Sequence, residues 1–414
     1  MTWTPSTFVR GPETTEMGNV SRRVRDVSDT IQYLDPDAAP FTVMLMKASS
    51  RAAMNSKFEW IEKQLPSKWD AINNAGGYSA PYYTTPDTVF AVHNPIFSVG
   101  DVVLVPRTGE KMLVSSINTG ASPTTITVVR DVTGVMTGDT GAAGSGTAGV
   151  LVNNDDLLVI GTSFAEGSSS PQEKTWNETY PYNYTQIYKD AFGVSDTEER
   201  SELYTGKDRP RLRLERGIEH KINLERSALF GDRYLNNANP ANVYRYTGGL
   251  TYFLQDNMVN AGGILTEPTM ESWLQGVFAH VGATDTRVLF ASPLVISVLD
   301  MIAVARLHLV PRDETFGITV RQWVTSHGVL NVIKHRLLET SPTGYNTTPA
   351  GYGGYAFAVD PTKVLFRYMN GRNTRLETDI QLPDEDGWKD QYLTEAGWQI
   401  SLSPVHGILS GVTG

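Results

Sequence analysis

Residues 208–233 read DRPRLRLERGIEHKINLERSALFGDR, the longest uninterrupted helical pattern in the chain. Asp208 is placed to cap the helix, Pro210 suits its first turn, and Gly231 stands where a helix stops. Leu214, Ile218, Ile222 and Leu229 recur at steps of four or seven, which predicts one apolar stripe. The other faces carry Arg211, Arg213, Arg216, Lys221 and Arg226 against Glu215, Glu219 and Glu225. Pairs such as Arg211 with Glu215 stabilise an isolated helix by only about 0.3 kcal/mol each. The pattern describes a charge-laced, half-buried rod roughly 30 Å long.

Working outward, the chain has 414 residues, a formal charge of −10 and no cysteine. The length predicts two or three domains. Cysteine-free composition excludes disulfides, thiolate nucleophiles and Cys-ligated zinc. The acidic balance argues against a protein whose main task is gripping a phosphate backbone. No apolar run is long enough for a membrane helix, and the first residues lack the basic and apolar regions of a secretion signal. The expectation is a protein first folded in a cytoplasm.

Upstream, residues 20–34 fit an amphipathic helix through Val20, Val24, Val27, Ile31 and Leu34, and 41–47 a second after Pro40. Such an arm has too little core to stand alone and must dock on its own body or a neighbour. Residues 58–95 and 173–194 share an aromatic, extended texture carrying Trp60, Trp69, Trp176, Tyr182 and Tyr184. Between them SVGDVVLVPRTGEKMLVSSIN, TTITVVRDV and VLVNNDDLLVIG predict the strands of a small barrel or sandwich. The glycine-rich stretch 134–149 is expected to be a loop. This order suggests a long hairpin with the β unit inserted at its tip, where the ends are already close. Downstream, helices at 269–281 and from 292 alternate with strands at 287–290, 318–324 and 329–337, and strands follow at 355–359, 364–368 and 398–402, an α/β arrangement.

Catalytic patterns are poorly supported. Asp139-Thr140-Gly141-Ala142 copies the tetrapeptide around an aspartic protease carboxylate but lacks the buried strand and the second copy that share a proton. Ser163 in GTSFA is one residue short of a nucleophile elbow and has no helix pattern behind it. The seven histidines are scattered, and those at 308, 327 and 335 read better as satisfied structural groups than as ligands. Asn153-Asn154-Asp155-Asp156 reads as a turn, not a calcium loop. No cofactor or metal is expected. A hydrolase using Ser163 or Asp139 is the alternative to a structural protein that contacts copies of itself.

VSRRVRDVSDTIQYLDPDAAPFTVMLMKA at 20–48, FEWIEKQL at 58–65, NYTQIYKDAFGVSDT at 183–197, IEHKINLERSALFGD at 218–232, TGGL at 247–250 and WQISLSPVHGILSGV at 398–412 carry a resemblance. In this order they resemble the major capsid proteins of tailed bacteriophages with the HK97 fold, and more narrowly the SU10-like family. The resemblance implies an α+β capsid fold with an N-terminal arm (1–57), an extended E-loop (58–95 and 166–196), an inserted β domain (96–165), a P-domain with the spine helix (197–246 and 356–414) and an A-domain (247–355). It implies a non-enzymatic subunit that self-assembles through hexamers and pentamers into an icosahedral head, in the virion, assembled in the host cytoplasm. Partners implied are a separate scaffolding protein, a portal, a decoration protein, and packaged double-stranded DNA held by weak contact, with no membrane. Arg209, Arg211, Arg213, Glu215, Arg216, Glu219, Trp60, Trp69, Trp176, Tyr182 and Tyr184 are the expected inter-subunit contacts.

Overall fold

A computed structural model describes residues 39–78, 87–132, 150–201, 207–280, 285–304, 310–311, 321–339 and 351–413. The chain divides into two compact units, Ile61–Thr179 and the remainder on either side of it. The larger unit mixes helices and strands and the smaller has strands alone among the described residues, an α+β fold. The helix expected at 20–34 lies outside the described residues.

The larger unit is built on the helix Asp208–Phe230. Lys207, not Asp208, occupies the N-cap and offers no side-chain bond; the Asp208 carboxylate accepts instead from Arg211 at 2.9 and 3.0 Å. At the other end Gly231 is extended, and a Cβ there would meet Ser227 O and Thr247 O at 2.5 Å, so close approach of backbone explains the glycine. The buried face is His220, Leu224, Glu225, Ala228 and Leu229, while Leu214 is 53% exposed. The predicted stripe is thus rotated. The true packing face includes a histidine and a glutamate that hydropathy does not count, because partners such as Thr394 and Phe41 lie far away in sequence.

This helix lies over a five-stranded sheet in which Trp388–Ile400 is the long central strand. Gln186–Val194 pairs antiparallel along one side of it. Val364–Met369 and Arg375–Glu377 share the other, and Ser50–Ala53 adds in parallel at the outer edge of Val364–Met369. The short helix Pro40–Ala48, which forms where Pro40 predicts, plugs Phe41 and Leu45 into the core. The segment that holds them thus packs on this unit, with Ser50–Ala53 at the edge of its sheet.

A seven-stranded mixed sheet follows the order Met258–Gly263, Gly407–Val412, Ala356–Val359, Thr286–Ala291, Val329–Lys334, Arg321–Val324, Val310–Pro311. Its central strands are buried on both faces. Val288, Phe290, Phe357 and Val359 enter the core shared with Phe41 and Trp398. Their alternates Leu289, Ala291, Ala356 and Ala358 pack against the helices Glu267–Phe278 and Pro293–Val304. Ser292 caps the second of these, its hydroxyl accepting from Val295 N–H at 3.1 Å. The boundary expected at residue 355 runs through this sheet, which takes strands from both sides of it.

In the smaller unit six antiparallel strands follow the order Trp69–Ala71, Asp156–Thr162, Asp101–Leu104, Lys111–Asn118, Thr124–Val129, Val89–Val92. The two ends meet: Ile72 bridges Val92, Asn73 N–H donates to Ala91 O at 2.9 Å, and His93 N–H to Ala71 O at 3.2 Å. The sheet is a closed barrel filled by Phe90, Val92, Val103, Met112, Val114, Ile126, Val128 and Leu157. The predicted start at 96 misses two of its strands, Trp69–Ala71 and Val89–Val92, which are too short to announce themselves by alternation.

Candidate functional site

Among the described residues no group of three His, Asp or Glu side chains is placed to hold a metal ion. Asp139 lies outside those residues. Ser163 is exposed, and its N–H donates to Gly100 O. The histidines with described partners turn elsewhere: His93 to Asn154, His220 to Asp190 and Thr394, His327 to Glu271, His335 to Glu225, and His406 to Asp360 and Ser401. In the turn at 153–154, Asp155 accepts from Val152 N–H and from Arg107 at 2.5 and 2.6 Å, as a structural turn does. Burial works against the Asp155 anion, yet Arg107 and the Val152 amide hold its carboxyl below the usual range.

One relay has the outline of a catalytic triad. Asp190 Oδ2 lies 2.5 Å from His220 Nδ1, and His220 Nε2 lies 2.7 Å from Thr394 Oγ1. His220 is 1% and Thr394 0% exposed, so no substrate reaches the hydroxyl. Thr394 hydrogen-bonds onward to Thr374, and Tyr392 stacks on the imidazole. The relay locks the helix to both strands beneath it.

About two to three turns nearer the start of the same helix, Arg209 and Arg213 converge on Asp390, which is 1% exposed. Arg209 donates to it at 2.9 and 3.2 Å and Arg213 at 2.9 and 3.1 Å, while Asp379 N–H adds a fifth bond. Burial pushes the Asp390 carboxyl up, but the two guanidiniums and the amide hold it below the usual carboxylate range. Arg209 also covers the Trp388 ring at 4.5 Å. Both arginines are therefore committed to their own chain. Arg211 pairs with Asp208 and Glu215, and Arg216 with Glu219, along the helix surface.

The aromatic candidates divide similarly. Trp60 is 6% exposed and packs on Phe58 and Phe253, so it belongs to the core. Tyr182 is clamped between Lys57 Nζ at 4.3 Å and the Arg233 guanidinium at 3.8 Å, and Tyr184 meets it edge-on. Between these tyrosines Asn183 is fully buried. Its amide donates to Thr247 Oγ1, Gly248 O and Trp398 O, and its oxygen accepts from Gly248 N–H and Tyr184 N–H. Lys57–Glu59 pairs with Tyr182–Tyr184, and Trp60 N–H donates to Pro181 O, so the larger unit holds the exit and return of the chain side by side. In the smaller unit Glu62 pairs with Thr179, and Ile61, Leu65 and Trp176 are 64%, 83% and 42% exposed. Trp69 on the barrel is 51% exposed.

Asn183, His220, Glu225 and Asp390 are the anchors that composition and periodicity do not reveal. Their only local signal is a polar residue at a position the surrounding pattern buries.

A model of the SU10 major capsid protein family matches residues 7–413. The chain is similar to the major capsid protein of Pseudomonas phage PaMx41, 24% identical over 241 residues, which is 56% of this chain and 56% of that one. It thus spans little more than half the length of that curated relative. Among solved structures, the capsid of Cyanophage P-SCSP1u is 10% identical with a TM-score of 0.38, covering 61% of this chain and 80% of its own. A structure from Gordonia phage Cozz is 14% identical with a TM-score of 0.40, covering 61% and 78%.

Proposed function

The chain belongs to the SU10 major capsid protein family, and from that membership we propose that it is the shell subunit of a phage head with the HK97-like arrangement. Copies join as hexamers and pentamers into an icosahedral shell that encloses double-stranded DNA by weak contact. A separate scaffolding protein, a portal and a decoration protein are the further partners, and the site of assembly is the host cytoplasm. The stretch that leaves the larger unit at Trp60 and returns at Tyr180 acts as the E-loop and carries the barrel. The larger unit supplies the P- and A-domains, with Asp208–Phe230 as spine.

The observation that carries this reading is the pair of segments 61–65 and 176–179, joined by the Glu62–Thr179 bridge and the Lys63–Glu178 ion pair. Two segments held by so few bonds are marginal in water, and these leave Ile61, Leu65 and Trp176 exposed. A neighbouring copy supplies the missing cover. Salt bridges at such a contact set register more than strength.

Co-expression with its scaffolding protein, followed by electron microscopy, is expected to show hollow shells tens of nanometres across. A monodisperse monomer under all such conditions would overturn the assignment.

A further inference from the structure

Glu225 lies on the buried face of the spine helix, and its carboxylate is fully shielded from solvent. One oxygen accepts from Phe41 N–H at 2.8 Å and lies 2.7 Å from His335 Nε2. The other accepts from Thr42 N–H at 2.6 Å and from the Thr42 hydroxyl. Three of these four partners belong to the helix Pro40–Ala48. That helix has Ala39 at its N-cap and no side-chain cap of its own. Its first free amides and the positive end of its dipole are satisfied by a carboxylate 184 positions away.

The segment so held is peripheral to the topology. Ser50–Ala53 is the outermost strand of its sheet, and the order of the remaining strands does not depend on it. Phe41 packs edge-on against Phe290 at 5.2 Å and beside Trp398 at 6.0 Å, so its departure opens the core without breaking either sheet.

We propose that Glu225 is a strap for the N-terminal segment: engaged, it docks residues 40–53 on the body, and disengaged, it lets them leave as one unit while both sheets stay folded. Both oxygens accept a main-chain N–H, so glutamine cannot replace it. The amide nitrogen of a glutamine would face an N–H on one side or the other. Desertion by the helix leaves a buried carboxylate without most of its donors, which makes docking an all-or-none event for this group.

Amide hydrogen exchange read by mass spectrometry on the unassembled full chain tests this independently of shell formation. In Glu225→Gln the amides of 40–53 are expected to exchange at least about tenfold faster, with those of 286–291 and 388–400 unchanged. Thr42→Val, which removes one bond and strands no charge, gives a smaller rise confined to the same segment. Unchanged exchange at 40–53, or a rise spread equally over both sheets, overturns the proposal. Should Glu225→Gln fail to fold, Thr42→Val decides by the same two criteria.

Discussion

In the larger unit several buried hydrogen bonds join residues far apart in sequence. Glu225 to Phe41 spans 184 positions, His220 to Thr394 174, Arg209 to Asp390 181, and Asn183 to Trp398 215. In the barrel the corresponding bonds are short-range. Asp70 holds the turn at Asn94, 24 positions on, Glu110 holds Arg130, 20 on, and Arg107 holds Asp155, 48 on. The barrel closes on itself, whereas the body is stitched from two separated stretches of chain. The difference teaches that one unit has the wiring of an insertion and the other of a frame whose parts fold together.

Deletion breaks this comparison most directly. Joining Trp60 to Tyr180 through a short linker, where Trp60 N–H already meets Pro181 O, is expected to leave a soluble, cooperatively melting body. Removing only 96–165 takes Asp156–Thr162 from Trp69–Ala71 and Thr124–Val129 from Val89–Val92, and is expected to yield insoluble protein. Equal behaviour of the two deletions in a solubility and melting assay would count against the barrel as a self-contained unit.

A smaller effect is expected from Arg130→Ala. Arg130 and Glu110 form a bidentate pair at 2.7 and 2.8 Å with side chains 3% and 0% exposed. Stranding Glu110 costs about 3–5 kcal/mol. Calorimetry is expected to show the barrel transition fall while the body transition stays, and a common shift would deny the separation.

The body has its own pH signature. His406 is buried, accepts from Asp360 N–H on Nδ1 and donates from Nε2 to Ser401 O; burial pushes its pKa down from 6.5 to about 4. The unfolded chain then binds the extra proton between these values, so stability is intact above pH 6.5 and falls as pH drops toward 4. The loss is roughly 3 kcal/mol. His406→Gln is expected to flatten this part of the profile in denaturant titrations, and an unchanged slope would contradict the assignment. Asp390, held below the usual carboxylate range, loses its contribution only at still lower pH. Arg216→Ala, at the exposed pair with Glu219, is expected to change stability by less than about 0.5 kcal/mol.

Much of the frame is legible in sequence because its signals are local. Pro40 and Ser292-Pro293 start helices, and the apolar run at 287–290 is a strand. The helix Asp208–Phe230 ends within three residues of its predicted limit. What is not legible depends on pairing across distance. Three-residue strands such as Trp69–Ala71 carry no alternation, and Gly407–Val412 is a strand only because Met258–Gly263 and Ala356–Val359 flank it. Arg209 and Arg213 look surface-bound until Asp390 is placed under them. Trp60 reads as a contact residue until Phe253 closes over it.

That the exposed segments 61–65 and 176–179 are covered by another copy of the chain is tested most directly by cryo-electron microscopy of purified assembled particles. In a closed shell Ile61, Leu65 and Trp176 are expected to be buried against a neighbouring subunit. Particles in which these side chains face solvent would contradict it.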